Sequence, residues 1–339
     1  MKRTTQPTLE DVARASKVST ATISRALNDP EKVAKDTLDK IREAIDTLGY
    51  TPNFGGRILA SNRSNTVGAI IPTMANAMFA GGLQAFQEVL AEAGVTMLVA
   101  STGYNSENEL LQIRSLMAHG ADGLLLIGSE RPEKTKQFLD LRGVPCVISW
   151  CYLDDPSRIF VGFDNYKAAQ NMARRVLEHG HRKIAMIAGF TKDNDRARNR
   201  HDGVRDAIRH FGDGANLLTV VEADYRIADG ARAFDEILAC QTRPTAVVCG
   251  NDVLAAGAIV RARERGFSVP EDISVTGFDD IALASVVQPT LTTVRVPQLE
   301  MGRLAARHLL DLVSGKASVS SVELGTDIVM RGSLVGPKN

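Results

Sequence analysis

The sequence predicts a small all-α unit followed by two α/β lobes, each built on a doubly wound parallel sheet. Three observations lead there. The texture changes at Thr66: short helical patterns precede it, and Val- and Ile-rich runs alternating with helices follow it. Those runs, eight in all, are too many for one small sheet. The charge is also uneven: 40 Lys and Arg balance 40 Asp and Glu, yet residues 1–63 sum to +3 and the rest to −3. A basic module on a larger, slightly acidic body fits that split. A length of 339 residues is enough for two or three domains with a sizeable core.

The first unit reads as three short helices over residues 8–48. Thr8 is a cap with Asp11 at the reciprocal position, and Leu9, Val12 and Ala13 face inward. Lys17 and Val18 make a tight turn. Ser19 caps a second helix from Thr20 to Leu27, with Ile23 and Leu27 inward. A third helix carries Leu38, Ile41, Ile45 and Leu48 at spacings of three and four and stops at Gly49. Tyr50-Thr51-Pro52 breaks the pattern, and Asn53 caps a further segment to about Asn62.

Beyond Thr66 the expected strands are 67–72, 96–101, 123–127, 145–150, 183–188, 218–222, 246–250 and 274–278. The expected helices include 79–93, 107–118, 133–142, 166–179, 202–211, 229–240 and 253–265. The alternation pauses at Asp154-Asp155-Pro156-Ser157, a boundary between lobes. Cys146, Cys151, Cys240 and Cys249 form no CxxC, which excludes a disulfide-dense scaffold and a zinc-finger spacing. Thr-Thr-Gln-Pro after Arg3 is not a secretory signal, and no apolar run is long enough to span a membrane. A cytoplasmic protein without a membrane partner is expected.

In open parallel sheets ligands bind beyond the carboxyl ends of the strands. The residues at those points are Asn76 and Phe79; Tyr104; Ser129, Glu130 and Arg131; Trp150; a polar loop ending in Arg196, Arg198 and Arg200; Asn251 and Asp252; and Asp279 and Asp280. Aromatic faces, amides, carboxylates and guanidinium forks suit a polyhydroxylated or anionic small molecule. The plainer alternative is that Asn251 and Asp252 cap a helix, that Trp150 packs a core and that the arginines are a solvated face. His179-Gly180-His181 has no third ligand nearby and reads as a helix end, so no metal is expected. No phosphate loop, GxGxxG, GxSxG or HExxH motif occurs, which favours binding over catalysis; no cofactor is expected. In the second helix Thr20, Ala21, Thr22 and Arg25 face outward. Short side chains around one arginine suit a major groove, with a hydroxyl to phosphate and a fork to guanine.

The run from Thr8 to Asn28 (TLEDVARASKVSTATISRALN) closely resembles the N-terminal signature of the lactose/galactose repressor family of bacterial regulators. The likeness continues through Val33, Thr37, Ile41, Leu48-Gly49-Tyr50, Pro52-Asn53 and Arg57. It returns at Val67-Gly68, Asp122-Gly123, Gly180-His181, Pro244-Thr245-Ala246, Asn251-Asp252, Val269-Pro270, Gly277-Phe278-Asp279 and from Pro289 to Thr293. Val161-Gly-Phe-Asp-Asn165 and Glu130-Arg131 look most like the gluconate-operon repressor branch.

That resemblance implies a helix–turn–helix headpiece over 1–63 with a hinge helix at about 53–62, and a core like periplasmic sugar-binding proteins. The chain would cross between lobes three times. The first lobe would take about 64–161 and 293–322, the second about 162–292 and 323–339. The implied partners are a second copy of the chain, double-stranded pseudo-palindromic operator DNA, and a sugar or sugar-acid effector. Thr20, Ala21 and Arg25 would face bases, and Thr22 and Ser24 would lie at phosphates. Asn53 and Arg57 would belong to the same interface, and Leu59 would wedge into the minor groove. Asn76, Phe79, Glu130, Arg131, Trp150, Arg198, Arg200, Asn251 and Asp279 would line the effector cleft. Gly55 and Gly56 weaken the implied hinge helix by about 1 kcal/mol each relative to Ala, so the hinge is expected to form on DNA.

Overall fold

The structure is a computed structural model and describes residues 7–51, 63–316 and 319–338. The chain divides into two compact units, Met1–Ser64 and Asn65–Asn339.

The first unit holds α1 (Leu9–Ser16), α2 (Thr20–Asn28), a 3₁₀ turn at Pro30–Lys32, and α3 (Lys35–Leu48). Each boundary has a local cause. Thr8 and Asp11 form a reciprocal capping box, the Thr8 N–H donating to Asp11 Oδ2 at 2.9 Å. Lys17 closes α1 in the left-handed region at φ 57°, and the Ser19 Oγ accepts from the Thr22 N–H at 3.1 Å. Gly49 ends α3 at φ 62°, where a side chain would be strained. Val12, Ile23, Ala26, Ile41, Ala44 and Tyr50 form the buried core; Leu27 and Ile45 lie at its margin, half-buried.

The second unit holds two six-stranded sheets. The first has β1 (Thr66–Ile71), β2 (Thr96–Ser101), β3 (Gly123–Ile127), β4 (Cys146–Ser149), β5 (Ile159–Gly162) and β11 (Val322–Glu323), in the order β11-β5-β4-β3-β1-β2. The second has β6 (Lys183–Gly189), β7 (Asn216–Ala223), β8 (Ala246–Cys249), β9 (Ser274–Asp279), β10 (Thr292–Arg295) and β12 (Asp327–Val329), in the order β12-β10-β9-β8-β6-β7. All pairings are parallel except β12 on β10. β1, β3, β8 and β9 are buried along their whole length, as strands covered on both faces must be. The covering helices are α4 (Ala77–Glu92), α5 (Ser106–Ala118), α6 (Glu133–Arg142) and α12 (Gln298–Val313) on the first sheet. On the second they are α7 (Asn165–Glu178), α8 (Asp195–Phe211), α9 (Ile227–Leu238), α10 (Asp252–Glu264) and the short α11 (Leu283–Val286).

The chain passes between the sheets after Gly162, after Arg295 and after Glu323. The second passage comes later than the expected boundary near 293, because Thr292–Arg295 pairs with β9 before the chain returns. The strands β5, β10, β11 and β12 were not among the eight expected. Each has two to four residues and forms by pairing to a neighbouring strand distant in sequence or across a crossover. α8 starts at Asp195, not at 202. Asn194 caps it, its Oδ1 accepting from the Ala197 N–H at 3.4 Å. Its first buried charged residues are Asp195, Arg196 and Arg200, which hydropathy reads as a solvated loop.

Candidate functional site

In the first unit Thr20, Ala21 and Arg25 are exposed on α2, while Thr22 and Ser24 are half-buried. The Thr22 hydroxyl lies 2.9 Å from the Ser19 Oγ at the start of the helix. The outer face is therefore two small residues at the helix N-terminus and an arginine one turn further on. Such a face can approach base edges closely and place a guanidinium fork on a guanine. Asn53, Arg57 and Leu59, with Gly55 and Gly56, lie outside the described residues.

The second unit gathers polar residues where the strand ends of the two sheets meet. Arg200, on the second turn of α8, is 2% exposed. Its Nε donates to Asn165 Oδ1 at 2.8 Å, its Nη1 to the Gly250 carbonyl at 2.8 Å, and its Nη2 to Asp279 Oδ1 at 3.2 Å. The guanidinium lies 3.7 Å from the Phe278 ring centroid, held from below by a cation–π contact. Burial pushes the Asp279 carboxyl up to about 6, against the opposing pull of Arg200. Asn251 caps α10, its Oδ1 accepting from the Leu254 N–H at 2.9 Å, and among the described residues its buried Nδ2 has no partner. Capping accounts for half of that amide and leaves its donor unused.

The first lobe contributes an aromatic wall and further unused donors. Asn76 caps α4 through Oδ1, its side chain lies beside the Tyr104 hydroxyl, and among the described residues its Nδ2 completes no close hydrogen bond. Trp150 is buried against Phe79, edge to face with centroids 5.5 Å apart, and among the described residues its Nε1 is also unpartnered. Buried donors of this kind are costly unless a ligand or water completes them. Tyr104 meets Tyr225 of the second lobe, their rings 5.6 Å apart. Backbone strain gathers here too: Tyr104, Trp150, Asp279 and Asp280 all have positive φ, between 52° and 105°. Such conformations in non-glycine residues concentrate at binding and catalytic sites.

The lobes touch at one edge of this cluster. Asp195 Oδ2 accepts from Ser129 N–H and Oγ, while Asp195 Oδ1 accepts from Arg196 Nη1 at 2.8 Å. Burial raises the Asp195 carboxyl, but Arg196 and Ser129 outweigh it and hold the group below its ordinary range. Arg198 pairs with Glu130 at the partly exposed rim. Along this seam runs a groove of ≈ 920 Å³ lined by Glu130, Arg131, Arg158, Asp193 and Arg198 among others.

Of the residues expected to line the cleft, Arg131 lines the groove with Glu130 and Arg198, but its donors are engaged within the first lobe. Its Nε binds Glu109 at 3.3 Å and its terminal nitrogens bind the Ser129 and Gly128 carbonyls at 3.2 and 2.9 Å, so the fork braces the turn after β3. Asp252 and Asp280 are likewise engaged within the second lobe: Asp252 accepts from Ile281 N–H and Thr293 Oγ, and Asp280 pairs with Arg295 and Arg331. Four participants escaped sequence reasoning. Asn165 follows β5, a strand too short to be recognised. Asp195 lay inside the supposed loop, and Phe278 was named only as the end of the expected strand 274–278 and within the Gly277-Phe278-Asp279 likeness, with no site role. Tyr225 could have been found, since it follows the expected strand 218–222. His179 ends α7, and His181 is held by Thr245 and Val335; among the described residues no three candidate ligands converge on a metal.

A small helical unit with an outward arginine helix, carried on a two-sheet α/β unit, defines the class of DNA-binding transcriptional regulators. Comparison with known proteins agrees. The family model for bacterial regulatory proteins of the lacI family matches residues 8–53, and that for a periplasmic binding protein-like domain matches 173–334. The HTH-type transcriptional regulator GntR of Pseudomonas aeruginosa is 36% identical over 98% of this chain and 97% of its own. The HTH-type transcriptional repressor CytR of Escherichia coli is 32% identical over 98% and 97%. A solved LacI-family transcriptional regulator from Silicibacter pomeroyi superposes with a TM-score of 0.88 at 28% identity, over 97% of this chain and 99% of that one. The chain belongs to the lacI family of bacterial transcriptional regulators.

Proposed function

We propose that this regulator is a repressor that binds a pseudo-palindromic operator as a homodimer and is controlled by a sugar or sugar acid bound between its lobes. The observation that carries the ligand half is the buried Arg200–Asp279 pair beside the unused donors of Asn251, Asn76 and Trp150. Paired forks and carboxylates bind vicinal hydroxyls, and free N–H groups bind hydroxyl or carboxylate oxygens. Thr20, Ala21 and Arg25 read bases, with Thr22 and Ser24 at phosphates. Asn53, Arg57 and Leu59 complete the DNA contact.

The relatives support this reading. One solved relative is described as a lac repressor dimer bound to operator, with 25% identity and a TM-score of 0.84. Another is described as the regulator CelR in complex with cellobiose, with 30% identity and a TM-score of 0.70. A sugar acid is the narrower choice, resting on the likeness of Val161–Asn165 and Glu130-Arg131 to the gluconate-operon repressor branch.

The mechanism is a population shift: a ligand that favours one arrangement of the lobes changes operator affinity by its differential binding energy. Coupling of about 1–3 kcal/mol corresponds to about 5- to 150-fold regulation. The test is gel retardation of upstream DNA, combined with thermal shift, against D-gluconate, ketogluconates and neutral sugars. One of these ligands should raise the melting temperature and change retardation, and Arg200→Ala and Asp279→Ala should abolish both responses. Loss of neither response in those variants overturns the site assignment.

A further inference from the structure

Arg200 directs its donors to three places, and only two of them belong to the second sheet. Gly250 follows β8 and Asp279 ends β9; the third partner, Asn165, stands where the chain first passes between the lobes, three residues past the end of β5 and at the first position of α7. The Asn165 amide is engaged at both ends. Its Oδ1 accepts from Arg200 Nε at 2.8 Å, and its Nδ2 donates to the Trp150 carbonyl at 2.9 Å, at the end of β4 in the first sheet. The side chain is 2% exposed, so water does not substitute for either partner.

The surroundings leave this link little slack. Trp150 holds a left-handed backbone at φ 60°, which aims its carbonyl at the amide. Gly162 packs on the Cys151 backbone so closely that a Cβ there would overlap it, which fixes the crossing strand against the end of β4. The Trp150 ring in turn rests on Phe79 of α4.

We propose that Asn165 is a positioning residue that couples the Arg200–Asp279 pair of the second lobe to Trp150 of the first. This rests on the reading above, in which a ligand acts at that pair. A ligand that moves the guanidinium moves its Nε, and the amide carries the displacement to the Trp150 carbonyl and the aromatic wall. An amide is suited to this because it accepts on one side and donates on the other. A carboxylate in its place still accepts from Arg200 and loses the donor to Trp150.

Trp150 is the chain's single tryptophan, so emission and acrylamide quenching of the full-length protein report this one position. The experiment is a double-mutant cycle on that signal. Asp279→Asn in the wild-type background should change the quenching constant about twofold or more. In the Asn165→Asp background the same change should leave it unaltered. Equal responses in both backgrounds overturn the proposal, because a side chain that merely fills its hydrogen bonds lowers stability without carrying a signal. Thermal melting establishes that each variant is folded. If Asn165→Asp is not, Asn165→Ser, whose hydroxyl reaches fewer partners, takes its place in the cycle. Operator retardation with D-gluconate and D-glucose is run beside it. Failure of the wild type to respond to either ligand counts against the functional reading, while the fluorescence cycle still decides the role of Asn165.

Discussion

Asp195 of the second lobe accepts two hydrogen bonds from Ser129 of the first, 2.6 Å from its backbone nitrogen and 2.7 Å from its hydroxyl. The other oxygen of the same carboxylate holds Arg196, so one buried anion serves both lobes. Asp195→Ala leaves Arg196 without its counter-charge and should cost about 3–5 kcal/mol. Glu130→Ala breaks the neighbouring Arg198 pair, whose side chains are 35% and 52% exposed, and should cost at most about 1 kcal/mol. Urea denaturation of the two variants measures the contrast, and similar losses in both would refute it.

The acidic groups behind the cleft give stability a specific pH dependence. Burial pushes Asp252 up to about 8, with the charge of Asp279 adding to it, and burial pushes Asp279 up to about 6. Both values exceed the unfolded value of 3.8, so between the two the folded state holds more protons than the unfolded. Stability contributed by these groups is therefore full below about pH 4 and falls as pH rises, through about 6 for Asp279 and about 8 for Asp252. Asp252→Asn mimics the protonated group and keeps an acceptor for the Ile281 N–H. Its thermal melts between pH 6 and 8 should fall less than those of the wild type; parallel curves would count against this assignment.

Gly82 makes room for the Trp150 ring. A Cβ there would lie 2.6 Å from Trp150 Cζ2 and 3.1 Å from the Gln298 carbonyl of α12. Gly82→Ala should cost about 1–3 kcal/mol through overpacking and shift the emission of the single tryptophan. A melting curve and spectrum matching the wild type would show that the aromatic wall yields freely.

On DNA, Arg25→Ala should lose about 1–3 kcal/mol of discrimination between operator and scrambled DNA. Affinity for both should remain salt-dependent, since the basic first unit still faces phosphates. Retardation titrations at two salt concentrations test this; unchanged specificity would move base reading away from α2.

Replacing Gly55 and Gly56 by Ala should tighten operator binding if the hinge helix forms on DNA, because each Gly weakens a helix by about 1 kcal/mol. Unchanged or weaker affinity in the same titration would contradict that expectation.

Much of this molecule was legible in its sequence by itself. Capping at Thr8 and Ser19, the stop at Gly49 and the apolar spacing of α3 are interactions within four residues, so the first unit could be read directly. Long buried strands announced the parallel sheets, and their ends pointed to Asn76, Trp150, Asn251 and Asp279. Pairing across distance was decided only by the tertiary structure. Nothing local distinguishes Arg131, which braces its own turn, from Arg200, which reaches Asp279. The Val161–Asn165 run stands out only as a family likeness, and nothing local gives Asn165 its role, since its partners lie 15 and 35 residues away. Burying a charge is tolerable only where a counter-charge or hydrogen bond meets it, and which group meets which is settled when the two sheets are brought together.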